Sequence, residues 1–153
     1  PVCLAARPMW MTGIGDALAE VANGLPPLQA VLVNPLVEAP SDKTARVFRA
    51  LGAEPLAEDY AAPDAPRFAT RDALLDFMRA RGNVLARAAE AVVPETGAVL
   101  AALRALPGVE YVAVSGAGPT CFGIFADREA ADAARLQLAA AHPAWWAVAV
   151  TLA

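Results

Sequence analysis

Residues 109–126 constrain the fold of this chain more than any other stretch. Val109-Glu110-Tyr111-Val112-Ala113-Val114 and Cys121-Phe122-Gly123-Ile124-Phe125-Ala126 are short runs rich in β-branched, aromatic and small apolar residues. Ser115-Gly116-Ala117-Gly118-Pro119-Thr120 between them is made of small residues and reads as a tight turn. The pattern predicts strand, turn, strand. A two-stranded unit is barely stable by itself, so further strands or a helical layer must cover its apolar face. Gly116 and Gly118 permit positive φ and leave no side chain to keep a ligand away. Successive N–H groups in such a turn form a concavity for anions. A plain glycine hairpin and a phosphate cradle both fit these residues.

The rest of the chain supplies the cover. Residues 28–33, Leu-Gln-Ala-Val-Leu-Val, are mostly apolar, bounded by prolines, and suit a central strand buried on both faces. Asn34-Pro35 stops that strand. Ser41, Asp42 and Thr44 are candidate caps for a helix over residues 45–51, which Gly52 closes. Val47, Phe48 and Leu51 share one side of it, and on spacing alone Phe48 is a core residue. Residues 54–68, rich in Pro, Ala and Asp, read as a long flexible loop. Thr70 caps a helix through Leu74, Leu75, Phe77 and Met78 that ends near Gly82. Asn83 caps the next, over residues 84–93. Pro94 opens a third through Val99, Leu100, Leu103 and Leu106, closed by Pro107-Gly108. Asp127 caps residues 128–141, His142-Pro143 ends that helix, and residues 145–152 form a last strand in which one tryptophan faces in and the other out. Ahead of all this, residues 1–15 hold one or two short strands ending at Gly13-Ile14-Gly15, and residues 18–25 are acidic and mixed. The order predicts an α+β domain: a mainly antiparallel sheet with helices packed on one face, in the split βαβ order of a ferredoxin-like fold.

Composition removes several function classes. A length of 153 residues suits one domain with a real core. A net charge of −4 with no basic stripe argues against nucleic-acid binding, and no apolar run approaches a membrane span. Cys3 and Cys121 have neither metal-ligand spacing nor the numbers for a disulfide framework, so they read as buried thiols of a cytoplasmic protein. No signal peptide is visible. The chain lacks an initiator Met, and Pro1-Val2-Cys3-Leu4 reads as the middle of a strand or loop, so a fragment is expected. His142, the only histidine, sits at a helix end where a structural role is the simplest reading. Asp72, Asp76 and Glu90 lie near Arg71, Arg79 and Arg87 and read as a salt-bridged surface. No base, nucleophile or metal cluster is evident from residue chemistry alone.

Several stretches taken together resemble the GHMP small-molecule kinases. Ser115-Gly116-Ala117-Gly118-Pro119-Thr120-Cys121-Phe122 is similar to the third conserved motif of that family, usually Ser-Gly-Ser-Gly-Ala-Thr-Cys-Phe followed by an apolar pair. Val31-Leu32-Val33-Asn34-Pro35, with Val47-Phe48-Arg49-Ala50-Leu51-Gly52, resembles the strand and helix before it. Pro1-Val2-Cys3-Leu4 and Gly13-Ile14-Gly15-Asp16 resemble the stretch after the second motif, and Trp145-Trp146-Ala147-Val148 the closing strand. The resemblance implies that residues 1–153 are the C-terminal, substrate-side domain. The ATP-binding half, with the family's catalytic lysine and aspartate, would lie upstream of Pro1. This chain would then carry no catalytic residue and no metal ligand, and would be inactive alone, with ATP and Mg²⁺ used by the intact enzyme. The branch most resembled acts in isoprenoid-precursor synthesis on a cytidine diphosphate sugar-alcohol. By that resemblance Phe48 stacks on the cytosine ring, Thr44 lies beside the cytidine, and Gly13 and Ile14 contact substrate. Ser115, Gly116, Gly118 and Thr120 border the phosphate region, and apolar surface left by the missing half leaves room for a homodimer. The chain departs from the family pattern at Ala117, at Pro119, which lacks an N–H donor, at Val84, where Asp is common, and in a longer loop over residues 38–43. A free-standing ferredoxin-like ligand-binding or interaction module is the reading from another class.

Overall fold

The computed structural model describes residues 8–12, 17–21, 24–53, 61 and 63–152. Two short strands, β1 (Met9–Thr12) and β2 (Ala17–Glu20), pair antiparallel, with Met9 opposite Glu20. The first fits the expected early strand. The second falls in the stretch read only as acidic and mixed, where just four residues pair. The main sheet contains β3 (Leu28–Asn34), β4 (Val109–Val114), β5 (Cys121–Phe125) and β6 (Trp146–Leu152). Its spatial order is β4-β5-β3-β6, antiparallel throughout. That is the ferredoxin-like order, and β3 is central as its double-sided apolar pattern requires.

Alternation along the strands separates two packed faces. Val31 and Val33 of β3, with Cys121 and Phe125 of β5, lie on one face and are fully buried. They meet α1 (Lys43–Leu51) through Val47, α3 (Ala86–Val92) through Ala88 and Ala89, and α4 (Glu95–Arg104) through Val99, Leu100 and Leu103. They also meet α5 (Arg128–Ala141) through Ala131, Ala134 and Leu138. Burying each such Val, Leu or Phe contributes roughly 1.5–3 kcal/mol, so this layer dominates stability. Leu28, Ala30 and Ile124 point to the opposite face and pack against Leu74 and Leu75 of α2 (Arg71–Arg81). The expectation of helices on one face therefore holds for four of the described helices and needs α2 added on the other. The reason is that the second set of β3 and β5 side chains is apolar too.

Local chemistry sets the helix ends. Thr70 Oγ1 accepts the Ala73 N–H at 3.2 Å, and Asp127 Oδ1 accepts that of Ala130 at 2.8 Å. Gly52 closes α1 in the left-handed conformation. Asp42 precedes α1 without capping it, because its carboxylate pairs with Arg46 at 2.7 Å instead. α3 is shorter than expected and begins at Ala86, since the Asn83 side-chain Oδ1 accepts the Leu85 N–H and its side-chain amide nitrogen is committed elsewhere. His142 stacks on Trp145, ring centroids 3.8 Å apart and nearly parallel. Trp145 packs on the core and Trp146 is exposed, in keeping with one ring in and one out. The Asp76–Arg79 pair is the exposed surface contact expected, whereas Arg71 reaches Glu110 of β4 and the Phe125 carbonyl, pinning α2 to the sheet. Cys121 is a buried thiol as expected, and Cys3 lies outside the described residues, as do residues 54–60 of the expected loop.

Candidate functional site

The turn over residues 115–120 leaves β4 and returns into β5 through two local bonds. Ser115 N–H donates to the Thr120 carbonyl at 2.8 Å, and Gly118 N–H donates to the Ser115 carbonyl at 3.0 Å. Gly116 and Gly118 have φ of +56° and +66°, the left-handed region, and the Gly118–Pro119 peptide is cis. A Cβ on Gly118 would stand 3.3 Å from Val114 Cγ1 and 3.5 Å from both Ala89 Cβ and Thr96 Oγ1, so glycine is required there for space as well as for φ.

Three side chains from distant parts of the chain hold this turn. Asn34, the last residue of β3, donates its amide to Thr120 Oγ1 at 2.8 Å and accepts the Leu36 N–H with its oxygen. Asn83, before α3, donates to the carbonyls of Val114 and Gly116, each at 2.8 Å. Lys43, the first residue of α1, reaches the carbonyls of Ala117, at 3.1 Å, and Gly118. With the Cys121 thiol 3.5 Å from the Pro119 carbonyl, every carbonyl from Val114 to Thr120 meets a protein donor. The N–H groups of Gly116 and Ala117 have no protein acceptor among the described residues. What the turn offers a ligand is therefore hydrogen-bond donors. Carbonyls would repel a phosphate oxygen and donors attract it.

The sequence-predicted residues fall around this turn as follows. Ser115 and Gly116 are exposed, and Gly118 and Thr120 are half-buried. Thr44 and Phe48 lie one helical turn apart on α1 and are both exposed. Phe48 is 56% exposed while its neighbour Val47 is fully buried. The core reading of Phe48 is thus corrected: Val47 is the residue of α1 that points at the sheet. Gly13 and Ile14 lie outside the described residues. Two contributors escaped sequence reasoning. Asn34 looked like a strand stop, and its signal was an amide directly ahead of a proline. Lys43 carried no signal, being one polar residue in Ser41-Asp42-Lys43-Thr44. Val84, where the family pattern has Asp, is 75% exposed.

Behind the turn the side chains are buried. Burial pushes the Cys121 thiol up to about 12, with Glu90 adding to the rise and Arg104 opposing it. A thiol so placed is not a nucleophile near neutral pH. Thr96 Oγ1, wholly buried, has no hydrogen-bond partner. Among the described residues no group of three or more His, Cys, Asp and Glu is placed to hold a metal ion, and no helix is long and apolar enough to cross a membrane.

The family model for the C-terminal part of GHMP kinases matches residues 66–144, a little over half of the chain and the segment that contains the glycine turn. The chain belongs to the GHMP kinases. Curated relatives narrow the likeness. The 4-diphosphocytidyl-2-C-methyl-D-erythritol kinase of Cereibacter sphaeroides strain ATCC 17025 is 42% identical over 149 residues, covering 95% of this chain and 51% of that protein. The enzyme of the same name from Paramagnetospirillum magneticum is 46% identical over 147 residues, covering 95% of this chain and 49% of its own length. The crystal structure of a 4-(cytidine 5′-diphospho)-2C-methyl-D-erythritol kinase superposes with a TM-score of 0.67 at 30% identity, over 97% of this chain and 52% of that one. This GHMP kinase domain thus spans about half the length of the relatives it matches. The ordered motifs read from sequence and the antiparallel α+β fold agree with that membership.

Proposed function

We propose that this chain is the C-terminal, substrate-side half of a kinase that transfers a phosphoryl group from ATP to the 2-hydroxyl of 4-diphosphocytidyl-2-C-methyl-D-erythritol, a step of non-mevalonate isoprenoid-precursor synthesis. One observation carries the reading: the exposed aromatic of α1 and the donor face of the glycine turn, some seventy residues apart in sequence, are joined through Lys43. The chain in which they meet aligns over 95% of its length with kinases bearing that substrate's name.

In this reading Phe48 stacks on the cytosine ring and Thr44 offers its hydroxyl to the cytidine. Gly13 and Ile14 contact the substrate as well. The N–H groups of Gly116 and Ala117 face a phosphate oxygen, with Ser115, Gly118 and Thr120 at the border of that region. These groups bind and orient; they transfer no proton. Positioning and preorganised donors are the means by which phosphoryl-transfer enzymes lower their barrier. ATP, when bound, supplies the transferred group. Among the described residues no group of three or more His, Cys, Asp and Glu is gathered, and in this reading Mg²⁺ is used by the intact enzyme together with ATP. The catalytic lysine and aspartate of the family belong with the half of the relatives' length that this chain does not span. The partner of this domain is that half, and the setting is the cytoplasm. The net charge of −4 supports neither a nucleic-acid nor a membrane partner.

The test is a phosphoryl-transfer assay with ATP, Mg²⁺ and 4-diphosphocytidyl-2-C-methyl-D-erythritol. The full-length protein is expected to form ADP and the 2-phosphate, and the 153-residue chain alone neither. Turnover by the chain alone would overturn the division of labour. An inert full-length protein would overturn the kinase reading and leave a ferredoxin-like ligand-binding module.

A further inference from the structure

We infer that Lys43 is a positioning residue of this site: it orients the glycine turn for an anionic ligand and fixes that turn against the helix carrying Thr44 and Phe48. The anion and the base it refers to rest on the proposed function. The clamp itself rests on geometry alone.

The Ala117 and Gly118 carbonyls accept from Lys43 and from no other described donor. Without the ammonium their lone pairs would be unmatched at the surface of a site meant for phosphate, and the turn could rotate to expose them. With it, the 117–118 and 118–119 peptide planes are tied to the start of α1. Asn83 holds the preceding plane through the Gly116 carbonyl, and that plane carries the unpaired Ala117 N–H, which therefore lies between the two anchors. Pro119 has no N–H to contribute, which makes the orientation of the remaining donors matter more.

Charge points the same way. Arg46 pairs with Asp42, Arg71 with Glu110, Arg79 with Asp76 and Arg128 with Asp132. None takes Lys43. No carboxylate among the described residues pairs with this ammonium, and its three donors leave one N–H beyond the two carbonyls. The side chain is half-buried against the same turn that carries the two free N–H groups, where an anion is favoured and a cation is not.

The same residue sets a distance. Lys43 and Val47 are four apart, so they lie on one side of α1. Val47 is sunk in the core and Lys43 is tied to the turn, so the helix is held at two points one turn apart. Phe48, five residues on, then stands about 7 Å along the helix axis from the clamp. A ligand with an aromatic base at one end and phosphate at the other is read by that fixed span.

The experiment compares, in the full-length protein, Lys43→Met and Lys43→Arg with the unsubstituted sequence by amide hydrogen exchange and by titration with cytidine 5′-diphosphate. The Gly118 N–H is expected to exchange at least about tenfold faster in Lys43→Met, with the Leu138 amide of α5 unchanged as a control on the fold. Lys43→Arg, which keeps charge and donors, should restore exchange to within about twofold and nucleotide affinity likewise, while Lys43→Met weakens affinity about tenfold. Side-chain ammonium protons of Lys43 in the unsubstituted protein should exchange more slowly than those of a free lysine, a readout that depends on no variant. Unchanged Gly118 exchange in Lys43→Met, or fast ammonium exchange in the unsubstituted protein, would overturn the clamp. Nucleotide bound equally by all three proteins would overturn its role toward the ligand. Nucleotide bound by none would overturn the cytidine reading, while exchange still decides the clamp.

Discussion

Val47 and Phe48 are adjacent, both apolar, and have opposite fates: one sealed against the sheet, the other 56% exposed. Helical geometry turns successive side chains by about 100°, so only one of the pair can face the sheet. The two glycines of the turn make a sharper comparison. Both have positive φ, which costs any residue with a Cβ about 1–2 kcal/mol. Gly118 alone is also crowded, by Val114, Ala89 and Thr96. Gly116→Ala is therefore expected to destabilise the chain by about 1 kcal/mol and Gly118→Ala by about 2–3 kcal/mol, read from urea midpoints at constant slope. Equal losses would show that φ rather than space governs both positions. At this scale much of the site was legible. The small-residue turn, its glycines and the aromatic of α1 are visible in sequence because each breaks a local pattern. Lys43 and Asn34 were not, because their partners lie 74 and 86 residues away and nothing local marks a side chain for a distant carbonyl or hydroxyl.

The elements were easier to read than their exact ends. Thr70 and Asp127 cap as expected, because each has the short oxygen-bearing side chain an exposed N–H needs. Asn83 was read as a cap and does bond the Leu85 N–H, yet its amide also serves the glycine turn, which no local rule could anticipate. β2 was missed because four residues paired to a neighbour barely register as alternation. On α4, one position conflicts with its surroundings. Thr96 is fully buried and its hydroxyl unpartnered. Leaving a buried polar group unpaired costs about 1–3 kcal/mol, and valine has nearly the same shape. Thr96→Val is expected to raise stability by about 1–2 kcal/mol in urea or thermal unfolding. A loss instead would place a hydrogen-bond partner on that hydroxyl.

For the molecule as a whole, one buried and one half-buried proton shape the response to alkali. Burial holds the Cys121 thiol at about 12 and raises the Tyr111 hydroxyl above its usual range. Both groups are neutral when protonated, and the fold favours that form. Below about pH 8.5 the folded and unfolded chains both keep these protons and the full stability is present. As pH rises from about 9 toward 12 the unfolded chain releases them while the folded chain does not, so stability falls across that window. Denaturation midpoints measured at pH 8 and pH 10.5 should show the decline, and Cys121→Ala should flatten it. An unaltered slope in that variant would place the alkaline loss elsewhere. Alkali thus acts on the sheet through one residue of β4 and one of β5.

The central place of β3 has a consequence in time. Its ladder partners are Cys121 through Phe125 on one side and Trp146 through Leu152 on the other. A ribosome completes β3 long before either neighbour exists: at about 5–20 residues per second the first partner follows roughly 5–20 s later. Throughout that interval Leu-Gln-Ala-Val-Leu-Val, a segment with no charge and strong sheet preference, has no native strand to pair with. The strand that organises the finished sheet is the one that waits longest for it, and non-local pairing of this kind makes for slow folding.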